Sequence, residues 1–390
     1  MEVLTFQFTA TTAGRLTSLL KEIASQPPPK YANLCARHFK QEKQTIWGRY
    51  LFRDLVSLEE FACDPFGADP AIAELRSHFA VTDFVVGPME RVVESGVFDR
   101  PVFIVSAPRA GSTLLYETLS KAPDLWTIGD ESHCVIEGIS KLHLAVRGFY
   151  SHCLAAQDAD PETVRALQVG FTANLRDRTG RRYLNAKNSG PGPIRFLEKT
   201  PKNALRIPFL CAAFPDARFI FLHREARQNI SSILEAWGHG GFISIPDLPG
   251  WTRHRWCFLL PPGWRALDNK SLMEVAAFQW ERANQSILDG LALLPADRWC
   301  EVDYEELISE PMDVVQRLCA FMDVGFDERV CDAVRCLPLS ATTVTVPSAD
   351  KWRANPEFRE DKLAGLTSLN KSLQALRMIP KSGFSNLARS

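Results

Sequence analysis

The sequence predicts an α/β domain with a central parallel sheet flanked by helices, preceded by a helical N-terminal region. From Arg100 onward, short β-rich runs alternate with helical patterns, which is typical of parallel βαβ units. Residues 1–95 lack this alternation and have a mostly helical pattern, with breaks at 26–29 and around 64–67. We therefore expect a helical region over residues 1–95 and a larger α/β domain over residues 96–390.

The individual elements follow from the spacing of the apolar residues. Short runs rich in β-branched and aromatic residues predict four strands: Val102–Ser106, Arg195–Leu197, Arg218–Leu222 and Trp299–Val302. Longer runs with helical patterns predict helices between and after these strands: Ser112–Lys121, Glu225–Trp237, Leu272–Leu294 and Met312–Met322.

The composition limits the classes of partner. Hydrophobic residues make up 46% of the 390 residues and charged residues 23%, which is ordinary for a globular protein. The formal net charge is -1, so nothing indicates a bulk polyanion such as nucleic acid as the partner. Any anion binding must therefore come from local sites.

The cysteines and the terminal sequence bear on the cellular compartment. Ten cysteines are scattered along the chain without a CxxC motif or zinc-ligand spacing, so buried reduced thiols are expected. The first twenty residues lack the basic start and apolar run of a secretory signal. No stretch approaches the roughly 18 apolar residues of a membrane span. We expect a soluble, cytoplasmic protein.

A first anion site is predicted where the strand over 102–106 meets the next helix. The turn between them reads Pro-Arg-Ala-Gly, and Ser112 and Thr113 open the helix. This order places free backbone N–H groups and the positive helix end where an anion can bind. Arg109 adds a fork of donors, and Gly111 allows a close approach of the backbone. The Walker A pattern is absent, because Ser106 and Ser112 stand where it needs Gly and Lys.

A second anion site is predicted after the strand Arg218–Leu222, where Arg224 precedes a helix. Ligands of open α/β sheets bind at the carboxyl ends of the strands. A nucleotide hydrolase with a P-loop would usually present an acidic magnesium ligand there, and this chain presents a cation. The alternative for Arg224 is a salt bridge to Glu225 or Glu235 at the start of the helix.

In this order, the two sites resemble the sulfotransferases that use 3′-phosphoadenosine 5′-phosphosulfate (PAPS). The 5′-phosphosulfate loop of that family reads like residues 108–115, PRAGSTLL. The 3′-phosphate site of the family is an Arg followed eight residues later by a Ser, and Arg224 and Ser232 have this spacing. Ser231 remains an alternative partner for Arg224.

Three further segments resemble the same family. Residues 196–201, FLEKTP, look like the E-K-T-P element of the bacterial and tyrosylprotein branches. Residues 301–311 resemble the family's "YEdL…P" segment, in which Tyr304 either touches the nucleotide or packs internally. Residues 351–353, KWR, resemble the C-terminal K-W element that closes on the nucleotide. Together the five segments cover roughly residues 100–360.

The resemblance implies a fold, a donor and a set of binding residues. The family fold is a P-loop-like α/β domain with a central parallel sheet. The implied donor is PAPS, the implied product is adenosine 3′,5′-bisphosphate (PAP), and no metal is implied. The residues implied to bind the donor are Arg109, Ala110, Gly111, Ser112, Thr113, Leu114, Arg224, Ser232, Lys351, Trp352 and Arg353.

The transfer requires charge stabilisation and a base. Arg109 and Lys199 are suited to the charge that builds on the leaving phosphate and on the sulfuryl group. Tyrosylprotein sulfotransferases carry their catalytic Glu at the position that matches Glu131, and polyketide-synthase sulfotransferase domains carry a similar E-x-H pair. Either Glu131 or His133 is expected to be the base, and residues two apart in an extended segment can act together.

The acceptor is the least determined part of the prediction. Acceptor pockets of the family are built from variable segments, here residues 1–95, 133–180 and a lid-like insertion at 238–270. The tryptophans of that insertion suit an apolar or aromatic small molecule, and its basic residues suit an acidic group. The alternative is a loop that packs on itself. The acceptor atom, hydroxyl or amine, and the oligomeric state stay open.

Two other functions compete with sulfuryl transfer. A P-loop kinase or nucleotide hydrolase would bind ATP with magnesium, but the Walker lysine and the acidic strand end are absent. A catalytically silent scaffold would bind the nucleotide without turnover. The presence of both Glu131 and Lys199 argues against the scaffold.

Overall fold

The computed structural model describes residues 97–376, apart from 184–192 and the positions 246, 254, 336, 338, 341, 346, 347 and 349, together with two short strands nearer the N-terminus. These two strands, β1 (Thr5–Gln7) and β2 (Val85–Gly87), pair antiparallel. They depart from the mostly helical pattern predicted for residues 1–95, whose remaining positions lie outside the described residues. The chain divides into two compact units, residues 1–94 with 137–140 and all the others.

A five-stranded parallel sheet forms the centre of the second unit. Its strands are β3 (Val102–Val105), β4 (Leu125–Trp126), β5 (Arg195–Lys199), β6 (Arg218–His223) and β9 (Trp299–Asp303). Their order is β4-β5-β3-β6-β9, and every neighbouring pair is parallel. This sheet confirms the predicted α/β class. The strand β4 was not predicted, because two residues are too few to give a periodic signal.

Ten α-helices are described, and they are numbered in chain order. They are α1 (Ser112–Leu119), α2 (His133–Ile136), α3 (Pro161–Asn174), α4 (Ile207–Ala213), α5 (Ala226–His239), α6 (Leu272–Leu291), α7 (Tyr304–Ser309), α8 (Pro311–Phe321), α9 (Glu328–Arg335) and α10 (Thr367–Leu376). A short antiparallel hairpin joins β7 (Ile243–Ile245) to β8 (Trp256–Cys257).

Several predicted ends shift for local physical reasons. The helix α5 starts one residue later than predicted, because the side chain of Glu225 caps it by accepting from the N–H of Gln228. The same helix continues to His239 and ends at Gly240, which has a positive φ of 69°. Strand β5 runs two residues beyond the predicted end and includes Lys199. This extension brings Lys199 to the carboxyl edge of the sheet.

Both faces of the sheet are buried, as expected for a parallel sheet covered by helices. All four residues of β3 are buried. One face of the sheet packs against an aromatic cluster formed by Phe98, Phe103, Phe171, Phe196 and Phe214. The other face contributes Val102, Ile104, Leu197 and Ile220 to a core shared with α1 and α8. The carboxyl ends of the strands are therefore supported by buried side chains on both faces of the sheet.

Candidate active site

The loop between β3 and α1 has a strained conformation that only certain residues accept. Gly111 has a φ of 108°, in the left-handed region that favours glycine. A Cβ atom at this position would lie 2.5 Å from ring atoms of Tyr304 on α7. The buried amide of Asn229 on α5 fixes the loop from another side, since its Nδ2 donates to the carbonyl oxygen of Pro108 at 2.8 Å.

Arg109 lies in this loop with a positive φ of 65° and a partly buried side chain. Its Nη1 donates to the carbonyl oxygen of Thr342 at 2.7 Å, and its guanidinium lies 4.7 Å from the ring centroid of Phe242. Burial lowers the pKa of Arg109, while the nearby carboxylate of Glu235 opposes this change. Its Nε is buried and has no hydrogen-bond partner among the described residues. A buried unpaired cationic donor fits an anionic ligand.

The N-terminus of α1 completes this first site. The first turn of the helix contains no acidic residue that would oppose a bound anion. Ser112 is buried and Thr113 is half-buried, while Ala110 and the side chain of Leu114 are buried. These residues therefore lie at the start of α1, where free backbone N–H groups can meet an anion.

Lys199, Glu131 and His133 meet at the edge of the sheet beside α1. The Nζ of Lys199 lies 2.5 Å from Oε1 of Glu131 and donates to the Thr113 hydroxyl at 3.2 Å. Oε2 of Glu131 lies 2.7 Å from Nε2 of His133. Lys199 is almost wholly buried, whereas the side chain of Glu131 keeps 27% exposure. The two candidate bases thus contact each other and a cation of the anion site.

The contact between Glu131 and His133 has a different geometry from the extended segment that the sequence predicted. His133 begins the short helix α2, so the pair spans a helix start and does not share one face of a strand. The amide N–H of Glu131 is bound by the carboxylate of Asp130 at 2.7 Å. The expectation of an extended segment is therefore wrong, because the chain turns into a helix directly after Ser132.

The protonation of Glu131 depends on its two partners. Burial by itself would raise the pKa of the Glu131 carboxyl, but the charge of Lys199 and the hydrogen bond and charge of His133 outweigh it. The pKa of Glu131 is therefore well below its usual range. An ion-paired carboxylate of this kind is a weak base until the lysine is engaged elsewhere.

Arg224, at the second predicted site, is half-buried directly after the end of β6. Its Nε and Nη2 donate to Oε1 of Gln228 at 3.3 and 3.1 Å, and its guanidinium lies 4.3 Å from the ring centroid of Tyr304. Burial lowers the pKa of Arg224. The alternative salt bridges are not seen among the described contacts, where Glu225 pairs with Arg227 and Glu235 with Lys351.

The two serines that follow Arg224 lie at different depths. Ser231 is buried, and its hydroxyl accepts from Nδ2 of Asn355 at 3.4 Å. Ser232 is half-buried on the neighbouring position of α5. Either serine stays open as the partner of Arg224.

The C-terminal K-W segment packs on the same helix. Nζ of Lys351 lies 2.5 Å from Oε2 of Glu235, and the Thr345 hydroxyl donates to the other oxygen of this carboxylate. The guanidinium groups of Arg227 and Arg353 lie 4.9 and 4.6 Å from the ring centroid of Trp352. Helix α5 thus brings the second anion site and the C-terminal segment together.

The insertion at 238–270 packs all three of its tryptophans inside. Trp251, Trp256 and Trp264 are buried and contact one another edge to face. These three rings correspond to the self-packed alternative rather than to an aromatic surface. Two other rings of this segment, Phe242 and Phe258, are half-buried and stack at 5.3 Å between centroids. Through Phe242, the insertion contacts Arg109.

Sequence reasoning missed Gln228 and Asn229 of α5, and it named Glu235 only as an alternative partner of Arg224. Gln228 binds Arg224, Asn229 holds the anion loop, and Glu235 binds Lys351. Gln228 stands four residues after Arg224, which directly precedes the cap of α5. Side chains at this spacing across a helix start lie within reach of each other, so the spacing was a usable signal for Gln228.

Over the part of the chain that the structure describes, no group of three or more His, Cys, Asp or Glu is arranged to hold a metal ion. Within the same residues, no helix has the length and apolar character needed to cross a membrane.

Comparison with known proteins identifies a family. A family model described as "Sulfotransferase family" matches residues 101–328. A protein-tyrosine sulfotransferase of Drosophila melanogaster is 25% identical over 232 residues, which are 59% of this chain and 39% of that protein. An uncharacterized protein of Aquifex aeolicus is 23% identical over 273 residues, 66% of this chain and 31% of that protein. The chain thus spans about a third of the length of these curated relatives.

Solved structures also overlap with the chain. The sulfotransferase domain from the curacin biosynthetic pathway overlaps with a TM-score of 0.35 and 20% identity, covering 59% of this chain and 75% of that one. The sulfotransferase domain from the Synechococcus olefin synthase overlaps with a TM-score of 0.39 and 22% identity, covering 73% and 98%.

Proposed function

The chain belongs to the sulfotransferase family, and on that premise we propose that it transfers a sulfuryl group from PAPS to a hydroxyl or amine of a small-molecule acceptor. One observation carries the proposal above the others. Lys199 contacts both the N-terminus of α1, at Thr113, and the carboxylate of Glu131. A cation suited to a leaving phosphate and a carboxylate suited to a proton transfer are thus adjacent.

The residues present fit a nucleotide with two separate anionic ends. Arg109 offers a buried Nε without a partner among the described residues, beside a helix N-terminus that carries no acidic side chain. Arg224 is a second, half-buried cation, bound to the neutral Gln228 instead of a carboxylate. Buried cations without a carboxylate partner are costly unless an anion compensates them. We assign Arg109 to the 5′-phosphosulfate end and Arg224, with Ser232 or Ser231, to the 3′-phosphate.

The roles of the chain's residues follow from their positions. When bound, PAPS supplies an activated sulfuryl group on a phosphate leaving group. The N–H groups of Gly111, Ser112 and Thr113 point from the start of α1 and hold negative charge there. Lys199 and Arg109 offset the charge that develops at the phosphate. Fixed positions for both reactants favour an in-line transfer.

Glu131 is our choice for the base, with His133 as its partner. In the structure, Lys199 lowers the pKa of Glu131 and so weakens it as a base. Once Lys199 turns towards an anion at Thr113, Glu131 loses this stabilising charge and its pKa rises. His133, bound at 2.7 Å, then orients the carboxylate for the proton of the acceptor. In the alternative, Glu131 orients His133, and His133 takes the proton from the acceptor.

The acceptor side is proposed to include the half-buried aromatic pair Phe242 and Phe258. Phe242 contacts Arg109, so the pair lies against the first anion site. Stacked rings suit an apolar or aromatic acceptor. Because the Drosophila relative is named a protein-tyrosine sulfotransferase, tyrosine-containing peptides belong in an acceptor screen beside small phenols and alcohols.

Thermal unfolding with nucleotides tests the proposal first. PAP is expected to raise the Tm strongly, while ATP with magnesium is expected to raise it little. Labelled PAPS is then incubated with phenols, alcohols, amines and tyrosine peptides, and transfer of the label is measured. A larger stabilisation by ATP with magnesium would contradict the proposal, and PAP binding without transfer to any acceptor or to water would favour the silent scaffold.

A further inference from the structure

A buried carboxyl group is linked by hydrogen bonds to the residue that follows the candidate base, and it takes no part in the proposed chemistry. Glu198, on β5, is fully buried. Its Oε1 accepts from the Thr200 hydroxyl at 2.5 Å, and its Oε2 accepts from Nδ2 of Asn203 at 2.5 Å. Burial raises the pKa of Glu198. A buried polar network whose hydrogen bonds are all satisfied fixes the positions of its members.

The hydroxyl of Thr200 connects Glu198 to the segment that contains Glu131, Ser132 and His133. Its single proton is given to Glu198, so its lone pairs serve as acceptors. It accepts the backbone N–H of Ser132 at 2.7 Å, and the Ser132 hydroxyl lies at 3.1 Å. The Ser132 hydroxyl also hydrogen-bonds Glu198, so the side chains of Ser132, Glu198 and Thr200 form one buried network.

The held amide belongs to the peptide unit that joins Glu131 to Ser132. Glu131 and His133 therefore flank a fully buried residue that is anchored by two hydrogen bonds to Thr200, the residue directly after β5. The same strand carries Lys199, whose side chain contacts Glu131. One strand thus sets both ends of the Lys199–Glu131 distance: directly through Lys199, and indirectly through Glu198 and Thr200.

We propose that Glu198 and Thr200 are positioning residues that hold Glu131 and His133 against Lys199 through the Ser132 amide. This inference rests on the proposed function. Neither residue exchanges a bond or a proton with the reactants; their effect is on the placement of the base. A misplacement of about 1 Å typically slows an enzyme by about 10²-fold, so the contribution is measurable.

Thr200→Val and Thr200→Ser form the matched pair for the test. Valine keeps the shape and removes the hydroxyl, whereas serine keeps the hydroxyl. Thr172→Val is the control for stability, because Thr172 is a buried threonine in α3 whose hydroxyl donates to the carbonyl oxygen of Gln168. Each variant is measured by hydrogen–deuterium exchange of peptides spanning 129–136, by PAP affinity, and by formation of PAP from PAPS.

In Thr200→Val, exchange at the Ser132 amide is expected to accelerate about tenfold, as for a lost hydrogen bond. Turnover is expected to fall about 10- to 100-fold with PAP affinity unchanged. Thr200→Ser is expected to restore both quantities to near the wild-type values. Exchange and turnover in Thr200→Val that match those of Thr172→Val would overturn the inference.

The inference and the proposed function fail in different ways. If the wild-type protein forms no PAP from PAPS, the proposed function fails, and the exchange data alone decide whether Thr200 holds the Ser132 amide. If the wild type is active and Thr200→Val exchanges fast but turns over normally, the anchor exists but does not position the base. That second result also overturns the inference.

Discussion

The Nζ of Lys199 lies 2.5 Å from Oε1 of Glu131. The residue proposed to offset charge on the leaving phosphate and the residue proposed to take the acceptor's proton therefore form an ion pair. Lys199 also reaches the Thr113 hydroxyl at 3.2 Å, so it can exchange the carboxylate for an anion at the helix start without a large movement. The proposed base is thereby coupled to the donor site.

The role of Glu131 is tested by Glu131→Gln, which keeps the shape of the side chain and removes the base. Turnover is expected to fall about 10²- to 10⁴-fold, the usual range for general base catalysis. PAP affinity, measured by calorimetry, is expected to stay. Glu328→Gln, at an exposed glutamate on α9, is the matched control. Full activity of Glu131→Gln, with loss in His133→Asn, would move the base to His133.

Removal of the Lys199 charge changes the pH dependence as well as the rate. Lys199→Met is expected to lower turnover about 10²- to 10³-fold, as for loss of a fixed donor. Because Lys199 lowers the pKa of Glu131, that pKa rises in the variant. The base acts only when deprotonated, so the acidic limb of the kcat/KM profile is expected to move to higher pH. Lys199→Arg keeps the charge, and an equal shift there would contradict the explanation.

Arg224 is expected to bind the 3′-phosphate and so to set the preference for nucleotides that carry it. Arg224→Ala should lose most of the preference for PAP over adenosine 5′-phosphate, about 10- to 100-fold, because a hydrogen-bonded charge contributes about 1.5–3 kcal/mol. Binding of both nucleotides is measured by titration. Arg282→Ala, an arginine on α6 that lies over Phe278, should keep the preference. An unchanged preference in Arg224→Ala would make the assignment wrong.

Gly111 is expected to tolerate no side chain. Gly111→Ala places a Cβ atom 2.5 Å from the Tyr304 ring at a φ of 108°. We expect a loss of about 1–3 kcal/mol in the free energy of unfolding, and loss of the Tm increase given by PAP. Gly180→Ala is matched, with a φ of 83° and no atom within 4 Å of the added Cβ. It should be destabilised less and keep the response to PAP.

The buried Glu198 predicts a dependence of stability on pH. Burial raises its pKa above the unfolded value, so the folded state holds a proton that the unfolded state releases. Its contribution to stability is therefore full below the unfolded pKa and is lost as the pH rises towards the folded pKa. Glutamine does not titrate, so Glu198→Gln should not lose stability in this way as the pH rises. The difference in Tm between Glu198→Gln and the wild type should grow from pH 4 to pH 8; a constant difference would contradict it.

The sequence predicted the parts of the molecule whose signal is local. Their apolar residues are spaced in a pattern that can be recognised without knowledge of the fold. These parts are the β3–loop–α1 unit, β6 with Arg224, and the helices α5, α6 and α8, and all lie within a few residues of their predicted bounds. Strand β4, with two residues, and the start of α2 at His133 carry too little local signal to be recognised.

Tertiary structure alone decided which groups pair. Arg224 stands beside Glu225 in sequence, but it binds Gln228 and Tyr304, because the capping of α5 occupies Glu225. The tryptophans of 238–270 can pack on a ligand or on each other, and the fold buries them against each other. In the same region, Gln279 of α6 donates to the carbonyl oxygen of Cys257 on β8. The sequence by itself determined the anion loop, the cations and the family resemblance. The partners of Lys199 and the anchor of Ser132 on Thr200 required the fold, because they join residues 68 positions apart, and hydrogen bonds over such separations depend on how the strands and helices pack.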